Sequence, residues 1–505
     1  MTSLTERRSV VTGFELSSLI RDFCVPVNAR ALPAPPVPPK ADEQQIKADK
    51  RYTTDFFRDE DLVNVVSFQF GYCKRLAYNS AMTAPKSVYI HIPFCSHKCH
   101  FCDFAAFAGL ESRQEEYLNA LLTEIDERLT EYFQKSDGPK DDSAQELGKG
   151  QEPFADKPVL ETIFIGGGTP GLSPLEHLQS ITKSLRRYFC FSTELEFSLE
   201  TTPHAITAEK ARGWREIGIN RLSIGVESLH DFELKAMGRD HSRAEALLGI
   251  ETASLAGIDN ICLDFMYGLP EQTRSSFQAT LLEAVSLSQQ FPIKHISAYG
   301  LEIAINSPLL LRYPRECPSY PDEETFVQMF DDLCQIMEEA GFMQYEVSNF
   351  AKPGFESRHN LTYWRNQPYF AFGVGAHRYV DCIRSANSKS FNAYVRNYRE
   401  SEKIEEISPQ EVWVEGLMLA LRLRQGLDLD DFKKRYGIDL EEAKASPIKD
   451  LESAGLLERI SKAGKDGLTR PAEEQGLSDT EKPIKFLRIT RKGLPVMNSI
   501  IGALI

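Results

Sequence analysis

The chain has few cysteines, no long apolar run and no excess of positive charge. Ten cysteines in 505 residues are far below the density of a secreted disulfide scaffold. No run of about 18 apolar residues occurs, so we expect no transmembrane helix. The net charge of −15 offers no overall basic field to nucleic acid. We therefore predict a protein that does not itself span a membrane and has no nucleic-acid partner.

The cysteines that are present are unevenly distributed. Seven are scattered singly, whereas three lie within eight residues, spaced by four and three positions: Cys95, Cys99 and Cys102. Three thiolates at this spacing can hold a 4Fe–4S cluster from one loop and leave the fourth iron open. The alternative is a structural zinc site completed by His91, His97 or His100. Zinc sites usually have two ligand pairs well separated in sequence, and no second pair is obvious here.

Short β-branched runs alternate with segments of helical periodicity from residue 87 onward. The predicted strands are residues 87–93, 162–168, 195–201, 221–228, 260–269 and 295–302. The predicted helices between them are residues 114–133, 174–188, 208–216, 243–256 and 275–288. This alternation predicts an α/β fold with a parallel sheet. Six such units can form a partial (β/α)6 barrel with its chemistry at the carboxyl ends of the strands.

The chain divides into four predicted regions. Residues 1–85 form an N-terminal extension, either disordered or a targeting segment, with a Pro-rich stretch at residues 32–39. Residues 86–305 form the barrel core, and residues 306–400 complete it. Residues 401–505 form a winged-helix-like α+β domain, with helices at 409–423, 428–436 and 441–454, a strand at 486–490 and a loop at 461–485. We expect a cytoplasmic protein, or a mitochondrial or plastid one if the extension is a transit peptide.

The segment Tyr-Ile-His-Ile-Pro-Phe-Cys at residues 89–95, with the cysteine spacing that follows, resembles the radical-SAM superfamily. It is most similar to the branch that contains oxygen-independent coproporphyrinogen III dehydrogenase (HemN) and the HemW-like heme chaperones. The resemblance continues to residue 505, apart from the loops. It implies a 4Fe–4S cluster on the three cysteines, with S-adenosylmethionine (SAM) bound against it.

The resemblance also implies a set of SAM contacts. These are Tyr89, Phe101, Gly167, Gly168, Thr169, Glu200, Glu227, Arg239 and Asp264. Glycines at the end of a strand allow a ligand to approach the backbone closely, which suits the turn at 166–168. Glu227 departs from the family pattern, which usually has glutamine there. A glutamate keeps the acceptor oxygens but loses the amide donor.

A second motif follows at residues 359–364, His-Asn-Leu-Thr-Tyr-Trp. An imidazole beside large aromatic rings suits heme, because histidine can ligate iron and the rings can cover the porphyrin. The residues alone favour a simpler reading, in which His359 only makes hydrogen bonds within a packed loop. The string resembles the heme motif of HemW-like proteins, which implies heme contacts at His359, Asn360, Tyr363 and Trp364. His377 could be a ligand or a structural residue.

Two differences favour the chaperones over the dehydrogenases. The dehydrogenases have a further cysteine two residues after the third, where this chain has Phe104, and residues 1–85 do not resemble their N-terminal segment. We therefore predict a heme chaperone, without coproporphyrinogen dehydrogenase activity, that delivers heme to apo-heme proteins such as respiratory cytochromes, membrane-bound ones included. One alternative is a true coproporphyrinogen III dehydrogenase. A second is a SAM-responsive heme sensor, against which the acidic net charge argues.

Overall fold

The computed structural model describes residues 84–136, 157–303, 307–400, 402–462, 469–471 and 484–505. The predicted N-terminal extension, apart from its last two residues, lies outside the described residues. The described chain divides into two compact units, residues 84–406 with 422–425, and residues 407–421 with 426–505. No helix among the described residues combines the length and apolarity needed to cross a bilayer.

Six parallel strands form the centre of the larger unit. They are β1 (Ser87–Ile92), β2 (Val159–Gly167), β3 (Cys190–Thr201), β4 (Arg221–Glu227), β5 (Ile261–Tyr267) and β6 (Ile293–Gly300). Each pairs with the next in chain order, so the sheet always grows in the same direction. Right-handed crossovers then place the connecting helices on one face and leave the other face to line an interior. The predicted partial (β/α)6 barrel is confirmed.

The helices begin where the sequence supplies caps. The connecting helices are α1 (Gln114–Ser136), α2 (Leu175–Arg186), α3 (Ala208–Ile217), α4 (Asp231–Ala236), α5 (Arg243–Leu255) and α6 (Arg274–Gln290). Ser242 and Glu245 form a capping box at the start of α5. After the barrel come α7 (Pro308–Arg312) and α8 (Glu323–Glu339), and Asp322 caps α8 by accepting from the Thr325 N–H.

Three short strands extend the sheet beyond the six predicted ones. These are β7 (Met343–Gln344), β8 (Asn349–Ala351) and β9 (Phe370–Phe372). The order of the nine strands is β9-β1-β2-β3-β4-β5-β6-β8-β7. Strands of two or three residues are too short to show an alternating pattern, so they could not be predicted from the sequence. Helix α9 (Arg358–Trp364) lies between β8 and β9 and carries the predicted heme motif.

The remaining segments of the larger unit form a small antiparallel sheet. It consists of β10 (His377–Val380), β11 (Ile383–Ala386) and β12 (Lys403–Glu406), with α10 (Phe391–Arg396) between the last two strands. Glu124 of α1 is fully buried and connects this region to the barrel. Its carboxylate accepts hydrogen bonds from the Gly373 backbone N–H, the Tyr394 hydroxyl and the Asn387 amide.

In the smaller unit, the described residues form five α-helices and a four-stranded antiparallel sheet. Its elements are α11 (Pro409–Ala420), β13 (Leu427–Asp428), α12 (Leu429–Tyr436), α13 (Leu440–Ala443), α14 (Ala445–Ser453), β14 (Leu457–Lys462), β15 (Thr469–Pro471), β16 (Ile484–Ile489) and α15 (Met497–Leu504). The single helix predicted at 441–454 is wrong. Pro447 has no N–H to donate to the Ala443 carbonyl, so the helix breaks at Lys444 and restarts with Pro447 in its first turn. Strand β15 lies within the predicted loop at 461–485, most of which falls outside the described residues.

Candidate functional site

The predicted site residues gather at the carboxyl ends of the barrel strands. The cysteine loop follows β1, the glycine turn ends β2, and Glu200 and Glu227 lie at the ends of β3 and β4. Asp264, in the middle of β5, pairs with Gly225 near the end of β4. Parallel strands bring these ends to the same edge of the sheet. Side chains separated by up to about 175 positions in the sequence are thereby placed around one opening.

The cysteine loop is anchored by the backbone on both sides. The Phe107 N–H donates to the Pro93 carbonyl at 2.7 Å, and the Thr169 N–H donates to the Phe94 carbonyl at the same distance. On the other side, the His100 N–H donates to the Met237 carbonyl at 3.0 Å. Gly238, with φ of +70°, leaves space for the His100 ring, which a β-carbon would approach to 2.7 Å. The loop is therefore held between the end of β2 and the turn after α4.

The three cysteine thiols are free and partly buried. Within the described residues, no three His, Cys, Asp or Glu side chains converge on a point that would hold a single metal ion. A 4Fe–4S cubane does not require such convergence, because each cysteine binds a different iron. Gly168 lies directly beneath Cys95, since a β-carbon there would be 2.9 Å from its Sγ. Three soft thiolate donors on one short loop fit a cubane.

Each histidine of the zinc alternative has a ring nitrogen near a backbone carbonyl: His91, His97 and His100. His91 Nε2 is 3.0 Å from the Ala105 carbonyl, which can only accept, so His91 Nδ1 accepts from the Tyr89 hydroxyl at 3.1 Å. Burial lowers the pKa of His91 to about 4, which keeps it neutral. His97 Nε2 lies 2.6 Å from the Gly238 carbonyl.

The glycine turn and Glu200 form a compact acceptor site. The Gly167 N–H donates to Glu200 Oε2 at 2.9 Å. A β-carbon at Gly166 would come within 2.8 Å of the same carboxylate oxygen, so only glycine lets the strand and the acid approach. Burial raises the pKa of Glu200 to about 8, and the nearby Asp264 adds to the effect. Ionised, this carboxylate can accept hydrogen bonds from a polar or cationic ligand.

Glu227, Arg239 and Asp264 are carried by β4, by the turn after α4 and by β5. Arg239 Nη2 donates to the Gly225 carbonyl at 2.6 Å, and its Nε has no partner among the described residues. Asp264 Oδ2 accepts from the Ser223 hydroxyl at 2.8 Å. Burial raises the pKa of Asp264 and raises that of Glu227 to about 7. Phe101 packs against the apolar cluster beside them, which includes Met237.

Helix α9 places the predicted heme motif inside the protein. His359 is fully buried, its Nδ1 lies 2.8 Å from the Thr162 hydroxyl, and its Nε2 lies 2.7 Å from the Tyr363 hydroxyl. The imidazole stacks on Phe164 with ring centres 5.3 Å apart. Tyr363 and Trp364 are also buried. Both ring nitrogens of His359 are thus used within the protein, and burial lowers its pKa to about 3.

Sequence reasoning missed Glu196, which organises the start of this helix. Its buried carboxylate accepts from the Arg358 N–H at 2.8 Å, the His359 N–H at 3.0 Å and the Ser357 hydroxyl at 3.3 Å. A carboxylate at a helix N-terminus satisfies backbone donors and interacts favourably with the helix dipole. The sequence of β3 contained a signal for this role. Glu196 and Glu200 are four positions apart, so their side chains lie on the same face of the strand, the one that faces the interior.

Comparison with known proteins identifies relatives of both units. Residues 89–284 match the radical SAM superfamily, and residues 407–463 match the HemN C-terminal domain. The heme chaperone HemW of Bacillus subtilis is 35% identical over 383 residues, which cover 75% of this chain and 94% of that protein. HemW of Haemophilus influenzae is 32% identical over 367 residues, covering 71% of this chain and 88% of the relative.

A solved structure supports the fold. Coproporphyrinogen III oxidase (HemN) of Escherichia coli superposes with a TM-score of 0.66 over 86% of this chain and 92% of that one. The identity between the two is 18%, so the match concerns the fold alone.

Proposed function

The chain belongs to the HemW family of radical-SAM proteins, and from this premise we propose that it is a heme chaperone that binds heme and transfers it to apo-heme proteins. The observation that carries the proposal is its identity of more than 30% along most of the length of bacterial heme chaperones. As in the superfamily, its cofactors are a 4Fe–4S cluster and SAM. We retain the boundaries 86–305, 306–400 and 401–505 as the domain assignment.

We assign the cofactor contacts residue by residue. Cys95, Cys99 and Cys102 hold the cluster, and the glycine turn with Glu200 holds the methionine end of SAM. Arg239 and Asp264 complete the cofactor site, with Tyr89, Phe101, Thr169 and Glu227. The chemistry that the cluster supplies when bound is the transfer of one electron. The protein's own part is to fix the loop, present an ionisable acceptor at Glu200 and keep water out with buried neighbours.

The heme motif is assigned to cargo binding, with His359 as the axial ligand. This assignment requires the Tyr363 hydroxyl to leave His359 Nε2, because a hydrogen-bonded nitrogen cannot also bind iron. Thr162 can keep its contact with Nδ1 and fix the ring orientation, as partners of metal-bound histidines commonly do. Tyr363 and Trp364 would then lie against the porphyrin face, with Asn360 at its edge.

Two variants test this assignment. His359→Ala should change the optical spectrum of bound heme and weaken binding, because the axial nitrogen is lost. Tyr363→Phe should tighten binding by about fivefold, because a hydrogen bond worth about 1 kcal/mol no longer competes for Nε2. Tyr188→Phe, which removes a hydroxyl bonded to Asp126 on the barrel exterior, is the matched control. An unchanged spectrum in His359→Ala would show that another group ligates the iron.

Turnover distinguishes the chaperone from the dehydrogenase. Protein with its cluster, given SAM, a reductant and coproporphyrinogen III, should form no protoporphyrinogen IX while binding heme saturably. Repeated decarboxylation without saturable heme binding would replace the chaperone assignment with the dehydrogenase. We further propose that the recipients include membrane-bound respiratory cytochromes and that the protein acts in the cytoplasm.

A further inference from the structure

Cys99 differs from the other two cluster cysteines in its surroundings. Arg239 Nη1 lies 3.2 Å from Cys99 Sγ and donates to it. Cys95 has only a weak hydroxyl contact, from Thr169 at 3.7 Å. His97 Nε2 also lies 3.9 Å from Cys99 Sγ.

The guanidinium of Arg239 is held in a fixed orientation. Its Nη2 is tied to the Gly225 carbonyl at 2.6 Å, so Nη1 is directed toward the sulfur. The side chain is only 7% exposed, and therefore solvent screens its charge weakly. A hydrogen bond to sulfur and a nearby buried charge are both established means of tuning an iron–sulfur cluster.

A carboxylate also lies near this guanidinium. Glu227 Oε1 is 3.8 Å from Arg239 Nη1, and the Glu227 side chain is 13% exposed. Glu227 has φ of +65° at a bulge between β4 and β5, a conformation that a non-glycine residue rarely adopts. The missing side chain at Gly225 leaves space for the pair, because a β-carbon would lie 3.2 Å from Glu227 and 3.3 Å from Arg239.

We propose that Arg239 and Glu227 are positioning residues of opposite sign that set the reduction potential of the cluster through Cys99. Reduction adds one electron, and hence one negative charge, to the cluster and its thiolates, with no atom transferred. The N–H···S bond and the positive charge of Arg239 stabilise that extra charge and raise the potential. The carboxylate of Glu227 opposes it and lowers the potential. The proposal rests on the cluster of the proposed function, not on heme binding.

The test is a dithionite titration of anaerobically reconstituted full-length protein, followed by electron paramagnetic resonance without SAM. At pH 8.5 Glu227 is ionised, because its pKa is about 7. Arg239→Met should lower the ratio of reduced to oxidised cluster at least tenfold at a given solution potential. For one electron this corresponds to a decrease of about 59 mV in the reduction potential. Glu227→Gln should shift the potential in the opposite direction. Arg239→Lys keeps the charge without the fixed fork and should fall between wild type and Arg239→Met.

Matched controls show whether altering any buried or paired charged residue changes the reduction potential. Glu346→Gln alters a fully buried barrel carboxylate whose pKa burial also raises to about 7, and Arg274→Lys alters an arginine paired with Asp332. Neither should move the potential. If Arg239→Met fails to retain iron, Arg239→Lys and Glu227→Gln decide the matter. Equal potentials in all variants that carry a full cluster would overturn the proposal, whereas loss of the cluster in wild type would instead refute the cofactor assignment.

Discussion

Replacing Glu196 with alanine should loosen the helix that carries the heme motif. The carboxylate accepts two backbone N–H groups at the start of α9, at 2.8 and 3.0 Å, in a buried position. Hydrogen bonds to a charged group contribute about 1.5–3 kcal/mol each, so Glu196→Ala should lower the free energy of unfolding by about 3 kcal/mol or more. Glu196→Gln keeps one acceptor oxygen without the charge and should cost about 1–2 kcal/mol.

Thermal unfolding and heme titration of the same samples measure this effect. A loss of about 3 kcal/mol should lower the melting temperature by roughly 6 °C, and heme affinity should fall because His359 is no longer positioned. Glu194→Ala is the matched control, since Glu194 lies two residues earlier in β3 with an exposed side chain and contacts Arg358 only through its backbone carbonyl. If Glu194→Ala and Glu196→Ala have the same melting temperature and the same heme affinity, Glu196 does not position α9.

Three further outcomes are expected. Alanine at any of the three cluster cysteines should abolish the cluster, measured as iron and sulfide content. The control Cys190→Ala should retain about four irons per chain. Iron retained by a variant that lacks one of the cluster cysteines would contradict the assignment. Gly167→Val should reduce both stability and SAM binding, measured by thermal melting and equilibrium dialysis. A β-carbon there would meet the His91 ring at 2.8 Å, and Gly354→Val, also at positive φ but in open space, controls for backbone strain. In wild type, SAM affinity should rise between pH 6 and pH 8. Glu200, with a pKa of about 8, is protonated at pH 6 and ionises as the pH increases, so it becomes a better acceptor. If Glu200→Gln shows the same pH profile as wild type, Glu200 is not the acceptor.

The barrel could be predicted from the sequence because its strands are continuous β-branched runs. The strand β4 was predicted at residues 221–228 and lies at Arg221–Glu227. The cysteine loop could be located as well, since its three cysteines are close in sequence. The close packing at Gly167 was not predicted: a β-carbon there would meet the His91 ring and the Ile92 carbonyl. Such a contact between two strands has no signature in either strand alone.

The interior of the site was harder to predict, since it depends on contacts between distant residues. Thr162 meets His359 across 197 positions, and Glu196 caps α9 from a strand more than 160 positions earlier. The pairing of His359 with Tyr363, four residues later, becomes evident only once the segment is known to be helical. The sequence segment shows no clear helical period, because α9 has only seven residues and is buried against the sheet.

Heme transfer tests the central claim most directly. Heme-loaded protein carrying its cluster is mixed with an apo-form respiratory cytochrome, and the Soret band is followed by stopped flow. A parallel reaction with apomyoglobin measures the rate of spontaneous heme release. We predict that the cytochrome acquires heme faster than spontaneous release allows, with a rate that saturates as the cytochrome concentration increases. Acquisition no faster than release to apomyoglobin, at every cytochrome concentration, would contradict the assignment as a heme chaperone.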